Sequence, residues 1–235
     1  MIPGGDKYIW LIWALGFLAP WIALYAMFPA QRRVMLWSSA LTSLFGLTEP
    51  IFVPEYWNPP SLFDLAQRTG FDIESLIFCF GIGGVGAVLY NALTHKQLTQ
   101  MGHHERHSPR HRFHRAALAM PFFVFATLYF LPWNAIYPGI AALLAGGLSC
   151  ALCRPDLARK TLIGGVLFAG FYLFFLALLE ILAPGYIERV WNLQALSGVM
   201  IGTFPVEEIL FGFGVGAYWS GVYEHLAWHR TTRRV

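Results

Sequence analysis

The feature that most constrains this chain is a succession of long apolar runs, with basic residues gathered in alternate connecting segments. A helix needs about 20 apolar residues to cross a bilayer, and stretches of that kind recur near residues 8–28, 34–53, 71–93, 116–132, 135–153, 161–183 and 204–226. Of the 235 residues 57% are hydrophobic and only 12% charged, with mean hydropathy +0.53. An ordinary soluble domain carries about a quarter charged residues, so that class is excluded. The expected fold is all-α, a polytopic membrane bundle of seven transmembrane helices.

Charge sets the expected orientation. Of the 16 Lys and Arg, all but Lys7, Arg68 and Arg189 fall in 31–33, 96–115, 154–160 or the tail from Arg230. Seven spans bring those four segments to one side, which the positive-inside rule makes cytoplasmic and leaves the N-terminus outside. A bacterial inner membrane is the expected location, with the lipid bilayer as a partner. The first span shows no cleavage site and is read as a retained anchor. The net charge of +3 is then a topology signal, so no nucleic-acid partner is expected. Cys79, Cys150 and Cys153 read as reduced and structural.

An internal repeat organises the chain. Residues 71–93, "FDIESLIFCFGIGGVGAVLYNAL", align with 204–226, "FPVEEILFGFGVGAYWSGVYEHL", with eight identities in 23, among them Phe71/Phe204, Glu74/Glu207, Gly83/Gly216 and Tyr90/Tyr223. Upstream, "EPIFVPEYWN" (49–58) resembles "EILAPGYIERVWN" (180–192). Spans one to three thus recur as spans five to seven in the same direction, and the fourth span carries the chain back across. Three parts are expected: a first three-helix repeat (1–95), a basic cytoplasmic loop with a linking helix (96–133) and a second three-helix repeat (134–235).

The acids occupy equivalent places in the copies. Asp72 can cap a helix whose first turn holds Glu74, and Pro205 suits the start of one holding Glu207 and Glu208. With Glu49 and Glu180 near the outer ends of spans two and six, five carboxyls gather in the outer half of the membrane. Ionisable groups at that depth mark a site facing the bundle interior, unless they lie at headgroup level and only cap helices. Withdrawal from water and an adjacent carboxylate favour the neutral acid, a proton donor, whereas a helix N-terminus favours the anion. Neighbouring helical residues point about 100° apart, so Glu207 and Glu208 cannot both face one small target.

At these residues the chain resembles the membrane-embedded lycopene cyclase family. The resemblance rests on Pro205, Glu207 and Glu208 as a Pro-x-Glu-Glu motif followed by an aromatic helix, with Trp191 and Gly198 before it, over roughly residues 186–226; the first copy departs from it, with "FDIES" at 71–75. The resemblance implies cofactor-independent cyclisation of a linear carotenoid end group without net redox change. A terminal double bond is protonated, an internal double bond attacks the tertiary cation, and a ring proton leaves. That chemistry needs a donor, an acceptor, a dry pocket and aromatic faces. Glu207 or Glu208 would serve as acid and Glu74 as its partner, with Glu49 and Glu180 beside them, and Phe71, Phe78, Phe204 and Phe211 as cation stabilisers unless they are ordinary packing aromatics. Trp57 and Asn58 face their repeat partners Trp191 and Asn192 in outer loops that would govern entry of a hydrophobic isoprenoid substrate. A carotenoid hydratase shares the first step. A proton-coupled small transporter is the non-enzymatic alternative, and a homo-oligomer is compatible with the sequence.

Other motifs fail on context. "GIGGVG" (81–86) satisfies G-x-G-x-x-G but lies inside an apolar helix, so it reads as close packing, with no flavin or nicotinamide site. "HHERH" (103–107) is not H-E-x-x-H. Together with His111 and His114 it reads as a basic face towards anionic headgroups rather than a metal site. Lys7, Lys96 and Lys160 lie at or beyond span ends, which argues against a retinal Schiff base.

Overall fold

The computed structural model describes residues 5–106 and 111–233, mostly helices, with two short antiparallel ladders and connecting loops. A 3-10 turn (Gly5–Tyr8) leads into α1 (Ile9–Gly16) and α2 (Leu18–Met27); α3 (Arg32–Ser43) continues as a 3-10 helix, Leu44–Ile51. The short α4 (Leu65–Thr69) lies in the loop before α5 (Ile73–Leu93). Strand β1 (Lys96–Gln100) and α6 (His103–Arg106) precede α7 (His114–Leu128), α8 (Ile136–Cys153) and α9 (Pro155–Leu182). After α10 (Tyr186–Val190), strands β2 (Met200–Ile201) and β3 (Phe204–Pro205) pair with each other, α11 (Val206–Leu226) follows, and β4 (His229–Arg233) returns to pair with β1. His107 and the segment 108–110 lie outside the described residues.

Among the described residues four helices are long and apolar enough to cross a membrane: Asp6–Met27, Ile73–Leu93, Ile136–Cys153 and Pro155–Leu182. The other three expected spans differ for identifiable reasons. The second is α only to Ser43, and Pro50 inside its 3-10 continuation offers no backbone donor. Gly46 brings that continuation onto α5, where an added Cβ would stand 2.8 Å from the Leu76 Cα. The fourth, α7, is 15 residues long and ends before the "LPW" at 131–133. The seventh, α11, has 21 residues, but Glu207, Glu208 and Glu224 dilute its apolar character.

The core forms where α9 packs on α11, α3 on α5, and α8 on α7 and α11, with α5 and α11 touching each other. Small residues permit the closest approaches. A Cβ on Gly216 would lie 2.4 Å from both the Gly164 carbonyl and the Phe168 Cβ, and one on Gly83 would overlap Thr42. Where helices meet this closely the glycine runs serve packing. At the end of the bundle near the β1–β4 ladder, buried Lys160 pairs with buried Glu224, whose carboxylate also accepts from Asn91 at 3.3 Å.

Candidate active site

The opposite end of α5 and α11 holds the acids. Asp72 caps α5, accepting the Ser75 backbone N–H at 2.5 Å and the Trp10 indole N–H at 3.1 Å. Pro205 is the residue before the first turn of α11, and Glu207 and Glu208 in that turn are both buried. The 100° step between them sends the two carboxyls to different surroundings.

Glu208 enters the wall of an apolar cavity of about 130 Å³. Its Oε1 accepts the Trp191 indole N–H at 2.7 Å and bonds the Tyr56 hydroxyl; its Oε2 accepts the Tyr172 hydroxyl at 2.6 Å. A buried carboxyl with three donors is fully satisfied. Tyrosine hydroxyls both donate and accept, whereas an indole N–H only donates. Glu208 can therefore stand as a carboxylate that accepts all three, or as an acid that donates to one tyrosine and accepts from the others. Tyr56 lies in the loop before α4, and its phenol is pushed well above the ordinary range by burial and by Glu208, so it stays neutral.

Glu207 turns elsewhere. Its Oε1 accepts the Tyr137 hydroxyl and the Ser197 backbone N–H, both at 2.9 Å, and so ties α8 and the loop before β2 to the start of α11. Glu74 is fully buried and holds the Leu62 backbone N–H at 2.7 Å, at the start of the segment leading into α4. Neither lines the cavity. The carboxyl that shares the cavity wall with Glu208 is Glu49, from the 3-10 continuation of α3; its Oε1 is buried with no hydrogen-bond partner among the described residues. Glu180 accepts the backbone N–H groups of Gly185 and Ile187, both at 2.9 Å, and caps the turn into α10 away from the cavity.

The aromatics separate in the same way. Phe78, Phe211, Trp57 and Trp191 line the cavity, whereas Phe71 and Phe204 do not. Trp57 and Trp191 form an isolated antiparallel bridge with ring centroids 5.3 Å apart. Asn58 and Asn192 flank it: the Asn58 N–H donates to the Val190 carbonyl and the Asn192 N–H to the Tyr56 carbonyl, each at 2.9 Å, with both side chains exposed. These asparagines join the two loops to each other and do not line the cavity. The remaining lining includes Trp10, Trp13, Tyr56, Tyr172, Ser75 and Cys79, none of them a site residue in the sequence reading, which has Cys79 as structural. Trp10 stands edge-on to Trp57 at 4.6 Å and Trp13 stacks on Phe78 at 5.4 Å, so the chamber is walled by ring faces and edges. A second cavity of about 300 Å³ shares Phe45, Thr48, Phe52 and Phe211 with the first and runs between α7, α8 and α11.

No curated protein and no solved structure matches the chain. One family does match, described as lycopene cyclase, over residues 134–226. The matched stretch contains Tyr137, Tyr172, Trp191, Glu207 and Glu208, and so supplies Glu208 together with two of its three hydrogen-bond donors. By that match, residues 134–226 are similar to the lycopene cyclase family.

Proposed function

We propose that this chain is a membrane carotenoid cyclase that folds the linear end of a long isoprenoid into a ring by proton transfer, without a cofactor. The observation that carries the reading is Glu208, a buried carboxyl held by two tyrosine hydroxyls and an indole N–H in the wall of an aromatic cavity. Glu208 delivers the proton to the terminal double bond. The cation that forms lies against Trp10, Trp13, Trp57, Phe78 and Trp191, whose ring faces attract positive charge. Glu49, on the same wall, takes the ring proton away. The balance is one proton in and one out, with no electron transferred. Glu207 and Glu74 act on position: each fixes a loop segment over the acid end of the bundle.

The two cavities suit a long, thin substrate. About 130 Å³ is well below the ~300–1,000 Å³ of a pocket that swallows a whole drug-sized ligand, so one end group enters while the polyene occupies the second cavity. The substrate reaches it from the bilayer. The chain crosses the membrane seven times, with its N-terminus outside and C-terminus cytoplasmic, as two parallel three-helix repeats joined by the segment 96–133. In support, α5 and α11 are each 21 residues long, and Asn91 meets Glu224 and Thr99 meets Thr232, both pairs 133 residues apart.

The test is expression in bacteria that accumulate lycopene, followed by pigment analysis. Wild type is expected to convert the linear pigment to a cyclic isomer of unchanged mass, and Glu208→Gln to leave it linear. A product heavier by one water would indicate hydration instead. Unchanged pigment from well-expressed wild type, with lycopene and shorter linear carotenoids both offered, would overturn the proposal.

A further inference from the structure

A second cluster of reactive side chains lies far from the acids along the chain, at the other end of α8. His111, just before α7, His114 at the first turn of α7, and Cys153 at the end of α8 bring three ligand atoms within 4.8 Å of one another. The buried Cys153 Sγ is 3.9 Å from the Nδ1 of His111 and 3.9 Å from the Nδ1 of His114. These are too long for strong thiol–imidazole hydrogen bonds. They are a few tenths of an ångström longer than the ~3.3–3.6 Å between nitrogen and sulfur ligands of one tetrahedral zinc with bonds of about 2.0 and 2.3 Å.

We propose that His111, His114 and Cys153 bind a divalent zinc ion that clips the start of α7 to the end of α8. Two imidazoles and a thiolate form a borderline-soft set suited to zinc rather than to magnesium or calcium, which prefer oxygen ligands. On binding, the Cys153 S–H proton passes to water as the zinc–sulfur bond forms, and each imidazole offers the Nδ1 lone pair while keeping its proton on Nε2. Three protein ligands leave the fourth tetrahedral position to water. The site is braced from behind. The His114 ring stacks on Trp228 at 3.9 Å and on His225 at 4.1 Å, which ties it to the end of α11. His225 is itself fully buried, so the stack holds the His114 ring on both its tryptophan and histidine neighbours. The third ligand, Cys153, is 39 residues from His114 in sequence, so histidine spacing alone does not signal the set.

The experiment uses the full chain, purified in detergent through a tag without histidine. Elemental analysis of the wild type incubated with zinc sulfate and desalted is expected to give about one zinc per chain. Cobalt(II) is expected to give a thiolate charge-transfer absorption and intense tetrahedral visible bands. Cys153→Ser and His114→Gln should each weaken zinc binding by more than the roughly 10- to 100-fold that loss of an outer partner causes. Cys150→Ser, three residues away on α8, should keep it. Should the variants fail to fold, the wild type alone decides, because zinc is expected to raise its melting temperature and a chelator to lower it. Wild type that retains no zinc, shows no cobalt–thiolate band or melts at the same temperature with and without zinc overturns the proposal, as does a Cys153→Ser variant with the band intact.

Discussion

Trp191 and Tyr56 stand 135 residues apart in sequence, yet the Trp191 indole nitrogen lies 3.2 Å from the Tyr56 hydroxyl while both bond the same oxygen of Glu208. The Trp57–Trp191 bridge joins the loops that carry these two residues. One carboxyl thus draws its partners from α9 through Tyr172 and from two loops belonging to different halves of the chain.

Removing one hydroxyl tests that arrangement. Tyr172→Phe keeps the ring in the cavity wall but leaves Glu208 Oε2 without its donor. A buried acceptor stripped of its partner costs about 1–3 kcal/mol, so the melting midpoint in detergent is expected to fall. Pigment conversion should fall as well, because one of the two groups able to exchange a proton with Glu208 is gone. A variant that cyclises at the wild-type rate would mean that Tyr172 is packing alone.

Glu49→Gln separates proton removal from proton delivery. The variant should still consume linear pigment, because Glu208 is untouched, but the cation loses its acceptor on the cavity wall. General acid–base groups typically contribute about 10²–10⁴-fold. The expected result is slowed turnover with products diverted to water addition or to a different double-bond position, read by mass and retention time. Complete retention of linear pigment would instead make Glu49 the donor.

The Lys160–Glu224 pair makes a prediction about stability alone. Both side chains are buried, and Lys160→Met leaves Glu224 with only the amide of Asn91. Breaking a buried pair from one side costs about 3–5 kcal/mol, whereas replacing both partners by apolar groups is often neutral. Lys160→Met should therefore lower the melting temperature sharply and Lys160→Met/Glu224→Met should recover most of it. Equal losses in the single and double variants would show that the ion pair is not the source of the effect.

The legible and the illegible parts of this fold divide along physical lines. Helices α5, α8 and α9 and the first span stood out because unbroken apolar runs leave few alternatives. The break after Ser43 did not, since Pro50 and Gly46 look like ordinary members of an apolar run until α5 is seen against them. Glu208 was legible from two acids placed behind a proline. Its partners Tyr56 and Tyr172 were hidden among many aromatics, and nothing local says which of 10 tyrosines will meet a carboxylate. Glu74 was paired with Glu207 by repeat symmetry, but the sequence cannot reveal that the cavity follows Glu49 and Glu208 instead.

Glu207 and Glu208 offer the sharpest comparison, since they are adjacent, equally apt in sequence and differently employed in the structure. Glu207 accepts two hydrogen bonds on Oε1, from Tyr137 and from the Ser197 backbone, which link the loop before β2 to α11. Gln keeps a carbonyl oxygen that can accept the same two bonds, so Glu207→Gln should retain much of its cyclisation and most of its stability. Glu208→Gln keeps one acceptor for Trp191 and Tyr56 and can donate its amide N–H to the Tyr172 hydroxyl oxygen, so it mimics only the protonated acid. It also removes a group that can gain and lose a proton. Conversion by Glu208→Gln is therefore expected to fall by about 10²-fold or more, while Glu207→Gln falls far less, with the two variants measured in the same pigment-accumulating strain at matched protein levels. Equal loss in both would place the reacting carboxyl outside the cavity, and a reversed order would hand the acid's role to Glu207.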